Sequence, residues 1–107
     1  MITVVYRPKY NSLTMEGHAY SGEPGRDLVC SAASMLAHTL LANVRCLEAQ
    51  GAVRDVAVEW KEGNAFIRCT PTSRMKHTVP LVYRSIIVGF ELLAHDYPAN
   101  ISFTVIG

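Results

Sequence analysis

Cysteine is scarce in this chain, and its three residues, Cys30, Cys46 and Cys69, are odd in number and widely spaced. Such a set argues against a disulfide framework and fits a reducing, cytoplasmic setting. No pair has CxxC spacing and no His–Cys cluster has zinc-finger spacing, so no structural metal is expected. Charge is sparse too: charged residues make up 18% of the chain and the formal net charge is +1, which offers no strong field to nucleic acid or to an anionic membrane. Long hydrophobic runs are missing. The apolar stretches are short or interrupted by Arg, Glu and His, so no membrane span is expected. The short run ending at Tyr6 is followed by Arg7 and Pro8, which is not the pattern of a signal peptide. No repeat, linker or low-complexity segment is visible. What remains is 107 residues, half of them hydrophobic, enough for one packed domain over 1–107.

The patterning predicts the order ββαββαβ. Ile2 to Tyr6 is a β-type run, Arg7 to Ser12 a turn and Leu13 to Glu16 a returning strand. Gly17 to Arg26 holds three glycines and a proline, a long loop for so small a domain, and long loops are more often functional than idle. Asp27 then reads as an N-cap for a helix from about Leu28 to Gln50, with Gly51 as its stop. Val29, Ala33, Leu36, Leu40, Val44 and Leu47 form one apolar stripe. Leu28, Ala32, Met35 and Ala42 form a second, which suits a helix covered on two sides, one of them by a partner subunit. Val56, Val58 and Trp60 alternate with Asp55, Ala57 and Glu59. After the turn Lys61-Glu62-Gly63-Asn64, Phe66, Arg68 and Thr70 alternate with Ala65, Ile67 and Cys69, completing a hairpin. Thr78 is placed to cap a second helix reaching about His95, with Val82, Ile86, Phe90 and Leu93 buried and Ser85 and Gly89 as a small-residue strip. Ile101 to Val105 is the last strand. Five short strands in a mixed sheet with two helices make an α+β fold, an α/β sandwich.

Cys30 carries the chemistry in this reading. Placed in the first turn of the long helix, it meets free N–H groups and the positive end of the macrodipole, which favour a thiolate over a thiol. The same N–H groups, near Leu28 to Ser31, suit an oxyanion. A nucleophilic Cys needs a base, and His18, in the Gly-rich loop, is the natural one. Ser34 lies one turn beyond Cys30 on the same face. Each has a bland reading beside it: free Cys is usually packing, a loop His is usually solvated, Asp27 is a cap and Ser34 bonds its own backbone. Cys46 and Cys69 read as core, and His38 and His95 as helix residues without a partner. Tyr20 and the loop around Arg74 are within range to wall a pocket.

Taken together, Gly17-His18-Ala19 and Gly25-Arg26-Asp27-Leu28-Val29-Cys30-Ser31-Ala32-Ala33-Ser34 resemble the Prp family of ribosomal-processing cysteine proteases, with the His-to-Cys spacing matched without a gap. Gly89 to Ala94 and Asp96-Tyr97-Pro98 are similar to the family's closing helix, so the resemblance spans essentially the whole chain. It implies a cytoplasmic cysteine endopeptidase that removes an N-terminal extension from a large-subunit ribosomal protein. It also implies Cys30 as nucleophile, His18 as base, a homodimer, no metal or organic cofactor, and a loop through Gly22 and Gly25 that orders over substrate. The stretch Tyr20-Ser21-Gly22-Glu23-Pro24 departs from the common family pattern and carries a stiffening proline. Asp27 or a backbone carbonyl is the expected orienting partner of His18. The rival readings are a non-catalytic, dimeric, ribosome-associated binding module and a thiol sensor.

Overall fold

The computed structural model describes residues 1–17 and 24–107, and the side chains of all of these except 24–27. The expected order is observed, with two short 3-10 turns added: β1 (Ile2–Arg7), β2 (Ser12–Glu16), α1 (Pro24–Ala49), β3 (Val53–Lys61), β4 (Asn64–Pro71), α2 (Thr78–Asp96) and β5 (Ile101–Val105). The sheet order is β3-β4-β2-β1-β5. All neighbours run antiparallel except β1 and β5, which pair in parallel from Ile2↔Ile101 to Tyr6↔Val105.

Side-chain alternation explains the layering. Ile2, Val4 and Tyr6 of β1, Leu13 of β2, Ala65, Ile67 and Cys69 of β4, and Ile101 of β5 are buried on one face. Both helices lie on that face, α1 through Val29, Ala33, Ala37, Leu40 and Val44, and α2 through Val79, Tyr83, Ile86, Ile87 and Phe90. Among the described residues, the opposite face of the sheet carries no helix. The two helices meet closely at Gly89, where a Cβ would stand 2.6 Å from Leu36 Cδ2, so this position of the small-residue strip serves α1.

Several local expectations are corrected. Helix α1 starts at Pro24, so Asp27 lies inside it rather than capping it. Proline suits a first helical position, since its missing N–H would have had no partner there. Helix α2 is flanked by His77, with no side-chain cap, and starts at Thr78. Its buried stripe runs through Val79 and Tyr83; Val82 and Leu93 are only half-buried. Cys46 is exposed rather than core, because it falls off the stripe that Leu40 and Val44 bury. The second apolar stripe of α1 is not overturned; it lies on the outer side of the helix within this chain, with Leu28 60% and Met35 65% exposed. By length and composition alone, both helices are long and apolar enough to cross a bilayer, contrary to expectation. The apolar excess arises because each lays one stripe on the sheet and carries a second outside. The stop at Gly51 holds. Its φ is +70°, its N–H reaches Glu48 O at 3.0 Å and Ala52 N–H reaches Leu47 O at 2.9 Å, a Schellman closure.

The core holds a buried polar contact that periodicity does not predict, Cys69 Sγ to Tyr83 Oη at 3.5 Å. Burial raises both groups above their ordinary values of 9.0 and 10.0, and also raises Tyr6, whose ring stacks 6.1 Å from that of Tyr83. A folded-state value above the unfolded one means that stability is complete below the unfolded value and falls as pH rises through it. Thermal melts should therefore be flat up to about pH 8 and fall progressively from about pH 9, the region where an exposed thiol and phenol ionise. Tyr83→Phe should flatten that decline.

Candidate active site

Helix α1 presents Cys30, Ser34 and His38 at intervals of four residues, hence along one line of its surface. That line forms a wall of a cleft of about 350 Å³. Across from it stand the β3–β4 turn, from Trp60 to Ala65, and Gly17 at the end of β2. Ile2 and Met15 supply the apolar floor. Cys30 is half-buried, packed against the core on one side and lining the cleft on the other.

The turn opposite is held in place through the backbone. The loop of the β3–β4 hairpin is Glu62-Gly63, bracketed by the Lys61↔Asn64 pair, and Gly63 takes φ +75°. Its carbonyl accepts the Gly17 N–H at 2.9 Å. Gly17 itself has φ +99°, and a Cβ there would run into the Met1 carbonyl. The residue at the mouth of the Gly-rich segment is thus pinned between the hairpin tip and the chain start.

His38 was passed over in the sequence as a helix residue without a partner. In the fold its ring lies 4.1 Å from the ring of Trp60, tilted by 43°, joining α1 to β3 across the cleft. The signal was the four-residue spacing from Cys30 through Ser34, read together with Trp60 on the helix-facing side of β3. Cys69 lies in the core and Cys46 on the solvent side of α1, so Cys30 is the cysteine on the cleft. Arg74 does not wall this cleft; it lines a separate depression with Gln50, Gly51 and Thr72 at the far end of α1. His18, Tyr20 and Gly22 lie outside the described residues, as does the side chain of Asp27, while Gly25 lies in the first turn of α1 rather than in the loop.

Starting the helix at Pro24 also moves Cys30 from the first turn to the second. From Leu28 onward each amide has a carbonyl four residues earlier to bond. The amides left free at this terminus are those of Gly25, Arg26 and Asp27, one turn before the cysteine. Among the described residues, no three His, Cys, Asp or Glu side chains converge to hold a metal ion.

A two-layer α+β domain with one cysteine opening onto a cleft fits the class of cysteine peptidases, and comparison with known proteins gives the same class. A family model described as cysteine protease Prp matches residues 1–102. The chain belongs to this family, the ribosomal processing cysteine proteases. The ribosomal processing cysteine protease Prp of Staphylococcus aureus is 29% identical over 101 residues, covering 94% of this chain and 91% of that protein. A crystal structure of an essential ribosomal processing protease Prp from S. aureus, in complex with a covalently linked product peptide, superposes with a TM-score of 0.73. It is 24% identical and covers 99% of this chain and 100% of that one. A crystal structure of a Streptococcus mutans protein, 26% identical, gives a TM-score of 0.68 over 98% of this chain and 91% of that chain.

Proposed function

We propose that this protein is an endopeptidase that removes an N-terminal segment from a large-subunit ribosomal protein, with Cys30 as nucleophile and His18 as general base. The observation that carries the reading is the cleft in which Cys30 faces Gly17, because chain connectivity begins the His18 segment at that rim. Support also comes from a relative of the same fold that holds a covalently linked product peptide.

In this mechanism His18 takes the proton of the Cys30 thiol, and the thiolate attacks the scissile carbonyl. The tetrahedral oxyanion is held by backbone donors at the start of α1. His18 then protonates the leaving amine as the C–N bond breaks, leaving a thioester on Cys30, which water hydrolyses. Ser34, one turn along the cleft wall from Cys30, supports the acyl group with its hydroxyl, and Asp27 or a backbone carbonyl orients His18. No cofactor enters any step. The protein acts in the cytoplasm as a homodimer. The uncovered outer stripes of α1 (Leu28, Met35) and α2 (Leu81, Val88, Leu92) supply an apolar face for a second copy. The decisive experiment is mass analysis of the unprocessed ribosomal protein, or its N-terminal peptide, after incubation with the enzyme. One cut is expected. An intact substrate with a rapidly alkylated Cys30 would favour a thiol sensor, and one with an inert Cys30 a binding module.

Trp60 and His38 line the cleft two turns of α1 away from Cys30, so their part is to hold the peptide. Trp60→Ala should raise KM by about three- to tenfold with kcat within about twofold, the pattern of lost uniform binding. Steady-state kinetics on the precursor peptide would show it. His38→Ala should leave most of kcat, whereas His18→Ala should not.

A further inference from the structure

We propose that the uncovered face of the sheet binds a single strand of RNA. Arg7, Ser12 and Arg68 occupy one register row across β1, β2 and β4, pointing to the face opposite the helices. With strands about 4.8 Å apart, the two arginines emerge about 10 Å from each other. The turn after β1 folds Tyr10 beside them: the Arg68 guanidinium lies 5.6 Å and Lys9 Nζ 5.7 Å from the centre of its ring. Tyr10 is 49% exposed. One row further on, Phe66 stands half-buried on the same face, between Thr14 and Glu59.

Charge complementarity selects the occupant. The carboxylates nearest this cluster among the described residues are already matched, Glu59 with Lys61 and Asp55 with Arg54, each at 3.8 Å. Glu16 is two rows away, opposite Thr3 and Asn64. Arg7, Lys9 and Arg68 therefore form a cationic end on a face that also carries two aromatic rings. The whole-chain charge of +1 averages over this asymmetry. Cations alternating with rings on an open sheet match the backbone and the base faces of a single strand: phosphates pair with the cations and bases stack on Tyr10 and Phe66. A duplex would meet the cations but could not use the rings. The cleft lies on the opposite, helix-covered side, so an RNA on the sheet and a peptide at Cys30 do not compete. The proposal does not depend on the peptidase reading.

The test is fluorescence anisotropy of a labelled oligouridylate of about ten nucleotides with the intact protein. The expected Kd is about 1–100 µM at physiological salt, and three phosphate contacts give a log–log salt slope near −2, a loss of roughly 20-fold between about 50 and 200 mM salt. Arg7→Ala/Arg68→Ala should weaken binding by at least about tenfold and bring the slope towards about −0.7. Phe66→Ala should weaken it by at least about fivefold at an unchanged slope. Both variants should melt near the parent temperature and cleave the precursor peptide normally, since neither alters the cleft. No binding at about 50 mM salt overturns the proposal, as does binding that survives the double arginine variant. Binding indifferent to Phe66→Ala, or displaced equally well by polyglutamate, overturns it in favour of simple anion attraction or an acidic protein.

Discussion

Cys30→Ala is expected to lower kcat/KM on the precursor peptide by at least about 10³-fold, because the covalent route to the thioester is lost and water attack on the bound peptide is all that remains. Cys46→Ala should leave the rate unchanged, its side chain being exposed on the far side of the same helix. This pair isolates the nucleophile: both variants remove one thiol from α1, and one of the two thiols lines the cleft. Folding does not confound the comparison, since Cys30 is only half-buried and alanine is a good helix former. His18→Ala should fall by a comparable factor, as members of a catalytic unit are strongly non-additive. Mass analysis adds a second readout, an acyl adduct on the parent enzyme that is missing from Cys30→Ala. Equal loss in the Cys30 and Cys46 variants would sink the assignment.

Gly17→Ala should be more damaging than the same change at Gly51 or Gly107. At φ +99° the backbone lies where L side chains are strained, and the added Cβ collides with the Met1 carbonyl. Backbone at both ends resists movement: Gly17 N–H is tied to Gly63 O, and Ile2 N–H to Asn100 O at 2.9 Å. A loss of about 2–3 kcal/mol follows, or roughly 10–20 °C in Tm. Activity should fall further than stability explains, since Gly17 sets the rim from which the His18 segment departs. Measured well below the melting temperature, kcat/KM should drop by at least about tenfold. Gly51→Ala is the matched control: it also has a positive φ, +70°, but a Cβ there meets nothing within 4 Å and it lies at the opposite end of α1. It should lose stability and keep activity. Parallel losses of activity in the two variants would mean that Gly17 has no part in shaping the cleft.

Much of the fold was legible because its signals are local. Alternation along Val53 to Thr70 and the glycine between its two halves specify a hairpin wherever the chain is placed. The stripe from Val29 to Leu47 specifies one buried face of α1 in the same way. Helix starts were less legible. Asp27 is a good cap by type, yet Pro24 is an equally good first residue, and local preference does not rank the two. Tyr83 was missed because a phenol is an ambivalent core residue until a partner is found, and its partner, Cys69, comes from another element.

Residue order alone was enough for the ββαββαβ sequence of elements and for the main buried stripe of α1, because each rests on spacing within about one or two turns or strands. The tertiary structure was needed for the rest. Gly17 comes beside Gly63, His38 meets Trp60 and Arg7 falls into line with Arg68 only when β4 docks on β2 and α1 crosses the sheet. These pairings join residues roughly 20 to 60 positions apart. Their energy comes from register and packing between elements, which no local pattern encodes.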